Sequence, residues 1–320
     1  MFRKAALLFL LPLFFYMLFF PKEAFTYSLA GLELWFHTVL PSLLPFMILS
    51  GFFIGTGKIE KILGRFSRFF FVIFGVSPWG AYALLIGLFC GYPMGARLTA
   101  DLYARQKISR AEACYLLTFS NNASPMFLSA YVAVQNLQSE SLLPGVLSAV
   151  YGADLLTGLF FRIRFGRFRR TLSEENVELK KEAPSVSWGE LIDTSVMNGL
   201  EAAAKLGGYI ILFSIFSGAI SQLLAALPCL RLITAAITEV TTGVHTLAQS
   251  HLPFVILFPA VCSCTAFGGL SAAAQTKSML NGTDLPIGLY LFAKCINSIL
   301  AAVLALLFVL VGHGIIFGQF

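Results

Sequence analysis

The fold of this chain is decided by four interruptions in its apolar segments: GYPMG at 91–95, SNNASP at 120–125, EVTTG at 239–243 and SCTAFGG at 263–269. A helix in lipid must satisfy its own backbone hydrogen bonds, so such breaks survive only where protein or a cavity shelters the freed groups. The interruptions come in similar order in the front and back halves, which indicates an internal repeat. Broken segments at corresponding positions of two halves are typical of a transporter's binding site.

The composition is that of a membrane protein. Hydrophobic residues make up 58% of the 320 residues and charged residues only 12%, and the mean hydropathy is +0.81. A soluble domain has about a quarter of its residues charged, so this many apolar side chains cannot be hidden in one soluble core. The sequence therefore predicts an all-α polytopic membrane protein.

The net charge of +6 does not indicate a nucleic-acid partner. Basic residues cluster in short segments between apolar runs, at 58–68, 105–110 and 162–181, where they set orientation in the membrane. No aromatic-interleaved basic face accompanies them. The six cysteines form no C-x-x-C pair, which argues against a zinc ribbon or a redox motif. We expect no cofactor, no metal and no nucleic acid. The expected partners are a small-molecule solute and the lipid bilayer, and homo-oligomer formation is left open.

Two of the apolar runs have lengths that fit neither one span nor two. A span takes about 20 residues and a pair of spans about 40 plus a turn, whereas these runs cover 69–99 and 228–252. We predict that both are re-entrant hairpins. The alternative is a tilted or interfacial segment leading into one ordinary span. The other runs lie at 5–20, 29–56, 113–134, 142–163, 199–227, 254–275 and 286–312.

Positive charge favours the hairpins. With Arg3 and Lys4 in the cytoplasm, a hairpin at 69–99 places every basic cluster on the cytoplasmic side, as the positive-inside rule requires. A complete span at 69–99 would instead put the arginines at 162–170 outside. Each half then consists of span, hairpin, span and span, with opposite starting sides. This is an inverted-topology repeat with broken or re-entrant helices.

These runs divide the chain into four parts. They are an N-terminal transmembrane helix and short loop at 1–28, a first membrane repeat at 29–163, a basic and polar cytoplasmic linker at 164–198 and a second membrane repeat at 199–320. For the N-terminus the alternative is a signal peptide cleaved near 28–30.

Ionisable residues inside apolar segments are costly and are therefore functional candidates. Asp154 and Glu239 are the candidates for binding a coupled ion, and the alternative for each is an intramembrane ion pair. His37 and His245 are interpreted as packing residues. The predicted substrate-binding residues come from the breaks and from the buried charges: Gly91, Pro93, Arg97, Asn121, Asn122, Ser124, Glu239, Thr242, Ser263, Gly268, Gly269, Ser271, Gln275 and Lys294.

The chain carries no nucleophile elbow, phosphate loop or metal-spaced His/Glu pair, and we predict that it is not an enzyme. Half-helix N-termini formed at the breaks attract anions, which favours a transporter of a small polar or anionic solute. The alternative is a membrane component that assembles or gates a partner complex. A transporter requires Asn121, Asn122, Glu239 and Gln275 to converge on one cavity. A scaffold needs only packing through small residues.

Four stretches resemble a known group of membrane proteins. They read GYPMGAR at 91–97, ISRAEA at 108–113, FSNNASPMF at 119–127 and FGGLSAAAQ at 267–275, and the resemblance runs from about residue 30 to about 312. They are similar to nucleoside-recognition, or gate-domain, proteins, and within that group to its sporulation members.

This resemblance implies an architecture like that of concentrative nucleoside transporters. As function it implies movement of dipicolinic acid, a small aromatic dicarboxylate, from the mother cell across the outer forespore membrane of a sporulating bacterium. A nucleoside is the other solute that the group implies. Arg97 and Lys294 are interpreted as cations for the carboxylates because of their charge, and no motif of the group assigns them.

Overall fold

The structure is a computed structural model and describes residues 2–56, 69–165 and 187–317. In these ranges the regular structure is helical throughout, which confirms the predicted all-α fold. The basic segment at 57–68 and most of the predicted linker, 166–186, lie outside the described residues, so their cytoplasmic placement stays a prediction.

The first half opens with α1 (Phe2–Phe19) and one long continuous helix. This long helix consists of α2 (Pro21–Leu34), a π-helical turn (Trp35–Val39) and α3 (Leu40–Gly55). It begins at Pro21, since proline is favoured in the first helical turn, where its missing N–H is not needed. Residues 21–28 are therefore helical, where the sequence predicted a short loop.

Two helices then fold back on each other as hairpin 1, which consists of α4 (Pro78–Cys90) and α5 (Met94–Ala104). The Ser77 side chain caps α4 by accepting a hydrogen bond from the Gly80 N–H at 3.1 Å. A Cβ placed on Gly87 of α4 would lie 3.0 Å from the Cα of Gly95 in α5, so the two helices are in close contact. The predicted hairpin is present, but it spans 78–104 because the Ser77 cap fixes its start.

The first half closes with a broken helix and a continuous one. Broken helix 1 runs from α6 (Arg110–Leu117) through a break at 118–124 into a helical segment that begins at Pro125 and is π-helical over Phe127–Asn136. A 3-10 turn at Glu140–Leu142 leads into α7 (Leu143–Phe165).

The second half repeats this order of elements. Its long helix is α8, its hairpin 2 is formed by α9 and α10, its broken helix 2 by α11 and α12, and its last helix is α13. The bounds are α8 (Trp188–Leu223), α9 (Pro228–Thr238), α10 (Val240–Ala248), α11 (Phe254–Phe267), α12 (Gly269–Met279) and α13 (Ile287–Phe317). The order of long helix, hairpin, broken helix and last helix thus occurs twice, while the membrane spans of the first half and the opposed orientation of the halves stay predictions.

Within the described residues, four helical stretches are long and apolar enough to cross a membrane: Glu140–Phe165, Trp188–Leu223, Phe254–Met279 and Ile287–Val311. The two halves pack into one body, because α2 and α3 lie along α8 and α13 lies against α7 and α11. Small buried residues such as Ala153 of α7 and Ala301 of α13 line these contacts and let the helices approach closely.

Gly95 is expected to tolerate no side chain. A Cβ at this position would lie 2.0 Å from the backbone carbonyl oxygen of Ser120, in the break of broken helix 1. Since a packed backbone cannot move aside easily, Gly95→Ala is expected to destabilise the protein by about 2 kcal/mol or more, measured as a lower melting temperature in detergent. Gly208→Ala is the control, because nothing lies within 4 Å of its Cβ and alanine favours a helix. An unchanged melting temperature for Gly95→Ala would contradict this packing.

Candidate functional site

A cavity of about 310 Å³ lies where both hairpins, both broken helices and both long helices meet. Small-molecule pockets in proteins start at about this size, with a range of about 300–1,000 Å³. One wall of this cavity is formed by His37 and Thr38 in the π-helical turn and by Leu206 and Ile210 of α8. Six of the predicted site residues line it: Gly91, Ser124, Glu239, Gly268, Ser271 and Gln275.

The tip of hairpin 1 is held against the break in broken helix 1. The Tyr92 N–H donates to the Asn122 carbonyl oxygen at 2.7 Å, and the Ala96 N–H donates to Asn121 Oδ1 at 3.2 Å. Asn121 Nδ2 in turn donates to Thr276 Oγ1 of broken helix 2 at 2.8 Å. Asn121 therefore links hairpin 1 to both broken helices, one from each half.

The tip of hairpin 2 packs closely against the other break and is itself held by hydrogen bonds to Glu239. The Oε2 atom of Glu239 accepts hydrogen bonds from the Thr242 N–H at 2.7 Å, from the Thr242 hydroxyl at 3.0 Å and from the Thr241 hydroxyl. A Cβ on Gly269 would lie 3.1 Å from the Cα of Glu239, and Gly269 has a φ of +78°. Only glycine fits here without strain, because both the space and the backbone conformation exclude a side chain.

Four half-helices begin at this cavity. They are α5, the segment that starts at Pro125, α10 and α12, and each follows directly on a residue or tip that lines the cavity. The first N–H groups of a helix lack intrahelical partners and carry a partial positive charge. At α10 the Glu239 carboxylate already occupies this position, whereas α5 and the segment that starts at Pro125 are capped by neutral groups, Asn121 Oδ1 and Ser124 Oγ. The other N-termini make the cavity a favourable place for an anionic group.

The side chains that line the cavity, in the described parts of the chain, include the carboxyl group of Glu239 and the imidazole of His37 but no lysine or arginine. Two lining residues have polar atoms without a hydrogen-bond partner, namely Gln275 Oε1 and the Tyr92 hydroxyl. The Gln275 side chain is 4% exposed, and its Nε2 donates to Ser271 Oγ at 3.0 Å. Buried polar atoms in proteins normally have a partner, so these two mark the polar part of the cavity region.

Lys294 lies directly behind the cavity wall and not in it. Its ammonium donates to Asn122 Oδ1 in the first break and to the Ala266 carbonyl oxygen, at 3.2 Å, just before the second break. It also interacts electrostatically with Asp154 of α7. Lys294 is 2% exposed. The structure thus places this predicted ligand where it supports both breaks at once.

Several other predicted site residues do not line the cavity. Arg97 points towards α8 and donates to the Asn198 carbonyl oxygen at 3.4 Å. The Ser263 hydroxyl pairs with that of Ser298 at 2.8 Å, between α11 and α13. Thr242 donates its N–H and its hydroxyl to Glu239, which caps α10. Pro93 is buried at the start of α5 and follows Tyr92 through a cis peptide bond.

Sequence reasoning did not propose three residues that the structure brings to the site. His37 lines the cavity although it was interpreted as a packing residue, and Tyr92 lines it from within the GYPMG motif. Asn297 donates to Asp154 from α13. A signal for Asn297 was present, because it lies three residues after Lys294 and so on the same helix face. His245 is hydrogen-bonded to Asn136 at 3.2 Å.

The sequence of this chain is similar to that of a known membrane protein. The chain is 30% identical to the sporulation integral membrane protein YlbJ of Bacillus subtilis (strain 168) over 322 aligned residues, which cover 90% of this chain and 78% of that protein. The chain belongs to the YlbJ family. No family model matches the chain, and no solved structure matches it. Membership of the YlbJ family, together with the four apolar helices, makes it a multi-pass membrane protein of the sporulation type.

Proposed function

We propose that this YlbJ-family chain transports a small anionic solute, and that the solute is dipicolinic acid crossing the outer forespore membrane during sporulation. The observation that carries this proposal is the convergence of two hairpin tips and two breaks, one of each from either half, on a single cavity. Glu239 and Gln275 line this cavity, and Asn121 and Asn122 lie in the break beside it. A scaffold that relied on packing of small residues would not need a buried amide such as Gln275, whose Oε1 has no hydrogen-bond partner.

The charge around the cavity supports an anion. Helix N-termini provide partial positive charge at the cavity wall, and the Lys294 ammonium adds a full charge behind the first break. An anion near the centre of a membrane is costly unless such groups offset its lost hydration. A small dicarboxylate can place its carboxylates at two of the half-helix N-termini.

A nucleoside is the second candidate solute, and the composition of the cavity wall favours it. The described lining holds one carboxyl group, two amides (Gln135 and Gln275) and no lysine or arginine, a combination suited to a neutral solute with hydroxyl and N–H donors.

Uptake into proteoliposomes separates these functions. We expect purified protein to move labelled dipicolinate into proteoliposomes well above the level of empty liposomes, with uridine as the comparison solute. Uptake of uridine without dipicolinate would support the second candidate. Uptake of neither would contradict a transport function and favour a role in assembling or gating a partner complex.

Gln275 is expected to contact the solute directly. Gln275→Leu removes one neutral hydrogen bond, which contributes about 1 kcal/mol, so dipicolinate uptake should fall about fivefold. The control is Gln249→Leu, the same change at an exposed position at the end of hairpin 2, where uptake should stay within about twofold of wild type. Equal uptake by Gln275→Leu and wild type would remove Gln275 from the site.

A further inference from the structure

A cluster of buried oxygen atoms surrounds Asp154 beside the cavity. Asp154 is 6% exposed, and its Oδ1 accepts a hydrogen bond from Asn297 Nδ2 of α13. Three nearby oxygens have no hydrogen-bond partner: Asp154 Oδ2, Asn297 Oδ1 and the hydroxyl of Thr157, which lies one turn from Asp154 on α7. A carboxylate oxygen and an amide oxygen can only accept. The free oxygens of Asp154 and Asn297 therefore lack donors, and one proton on Asp154 would supply a donor within this cluster.

Lys294 connects this cluster to the cavity. It lies three residues before Asn297 on the same face of α13, and it interacts electrostatically with Asp154. Its hydrogen bonds reach Asn122 and Ala266 in the two broken helices. The next residue after Asn122, Ala123, lines the cavity, and so does Gly268, two residues after Ala266. The Lys294 side chain thus connects Asp154 to both breaks, so a change in charge at Asp154 changes the electrostatic environment of both breaks.

The charges of the two sites favour each other. Ionised Asp154 and protonated Lys294 together carry no net charge, which costs less than leaving either charge buried without its partner. A proton on Asp154 leaves one uncompensated positive charge on Lys294. An anion in the cavity would offset that charge, and the charge would in turn stabilise the anion. Such mutual stabilisation is reciprocal, so binding of either partner raises the affinity for the other.

From this geometry we propose that Asp154 takes up a proton when an anionic solute occupies the cavity, with Lys294 as the positioning residue that links the two sites. This inference rests on the proposed transport of dipicolinate and adds the ion that accompanies it. Glu239, the other predicted ion-coupling residue, is less suited because its Oε2 already accepts hydrogen bonds from Thr241 and Thr242.

Other titratable groups lie around Asp154. Lys294 and Tyr290 reach it from α13, Tyr92 from the tip of hairpin 1 and Tyr151 from its own helix. The remaining elements packed against α7 carry Cys262 and Cys264 on α11, Arg110, Glu112, Cys114 and Tyr115 on α6, Tyr131 in the π-helical segment and Glu140 in the 3-10 turn. Glu112 accepts from the Ser77 N–H, and Arg110 pairs with Asp284. Tyr115 donates to the Gly158 carbonyl and Tyr131 to the Thr241 carbonyl. Asp154 is therefore the carboxyl group of this cluster, and the test is directed at it.

The test measures proton movement together with dipicolinate in proteoliposomes that contain a trapped pH-sensitive dye. With wild-type protein we expect dipicolinate uptake to acidify the lumen and an acidic outside to raise the uptake rate at least about fivefold. Asp154→Asn keeps the size of the side chain. We expect this variant to bind dipicolinate, but an acidic outside should no longer raise its rate of uptake. Asp193→Asn, the same change at an exposed position on α8, should retain the wild-type response.

The proton coupling, its assignment to Asp154 and the proposed transport function are each contradicted by a different result. Dipicolinate uptake by wild type without proton movement overturns the coupling while the proposed function stands. A full response to the pH gradient in Asp154→Asn overturns the assignment to Asp154. Absence of any dipicolinate uptake by wild type overturns the proposed function and the coupling with it. Should Asp154→Asn fail to fold, calorimetry of dipicolinate binding to wild type, in buffers of different ionisation enthalpy, decides the point: close to one proton taken up per solute supports the proposal and none overturns it.

Discussion

Changing both Asn121 and Asn122 to leucine is expected to bring dipicolinate uptake down to the level of empty liposomes. The two amides serve the Ala96 N–H, the Thr276 hydroxyl and the Lys294 ammonium, and leucine can bond to none of them. Each buried polar group left without a partner costs about 1–3 kcal/mol. Loss of even two such bonds in the transporting state corresponds to at least about a hundredfold, or about 2.7 kcal/mol.

The measurement is uptake at matched amounts of protein in the membrane, with folding followed by size-exclusion chromatography in detergent. Asn281→Leu is the control, because Asn281 lies in an exposed turn and its replacement should leave uptake within about twofold of wild type. Each single variant is expected to lose at least about tenfold. Wild-type uptake by the double variant would show that these amides only pack the break.

The repeated order of helices could be predicted from the lengths of the apolar runs and the positions of the basic residues. The residues at which these helices begin depend on capping side chains. The lengths of the runs at 69–99 and 228–252 fit neither one span nor two. Hairpin 2 lies within its run, whereas hairpin 1 extends beyond its run to residue 104. The long helix of the second half begins at Trp188 and not near 199. Ser187 caps it by accepting from the Glu190 N–H at 3.2 Å. This S-x-x-E pattern was legible in the sequence, but its polar surroundings favoured a linker.

The site was predicted best where a backbone break marks it. Glu239 and Gln275 lie in or next to breaks and line the cavity, whereas Asn121 lies in a break, does not line the cavity and is hydrogen-bonded to Thr276. His37 could not be found in this way, because it reaches the cavity through the packing of a long helix against α8, which is a tertiary feature. Arg97 follows the hairpin tip in sequence, but the helix turns its side chain towards Asn198.

Lys294→Gln is expected to reduce dipicolinate uptake at least about tenfold, or about 1.4 kcal/mol. Glutamine keeps a donor for Asn122 but removes the positive charge that stabilises an anion and balances Asp154. Lys205→Gln is the control, because Lys205 pairs with Glu201 at an exposed position on α8, where an ion pair contributes little. Uptake by this control should stay within about twofold of wild type. Normal dipicolinate uptake by Lys294→Gln would show that the cation assignment is wrong.

A double variant separates the charge of Lys294 from its structural role. Lys294→Gln alone leaves Asp154 as a buried carboxylate without a positive neighbour, so its melting temperature in detergent should fall. Adding Asp154→Asn removes that unbalanced charge, and the double variant should regain most of the lost melting temperature. Its dipicolinate uptake should remain at least about tenfold below wild type, because no cation then stands behind the break. Recovery of uptake along with stability would show that Lys294 serves only to neutralise Asp154.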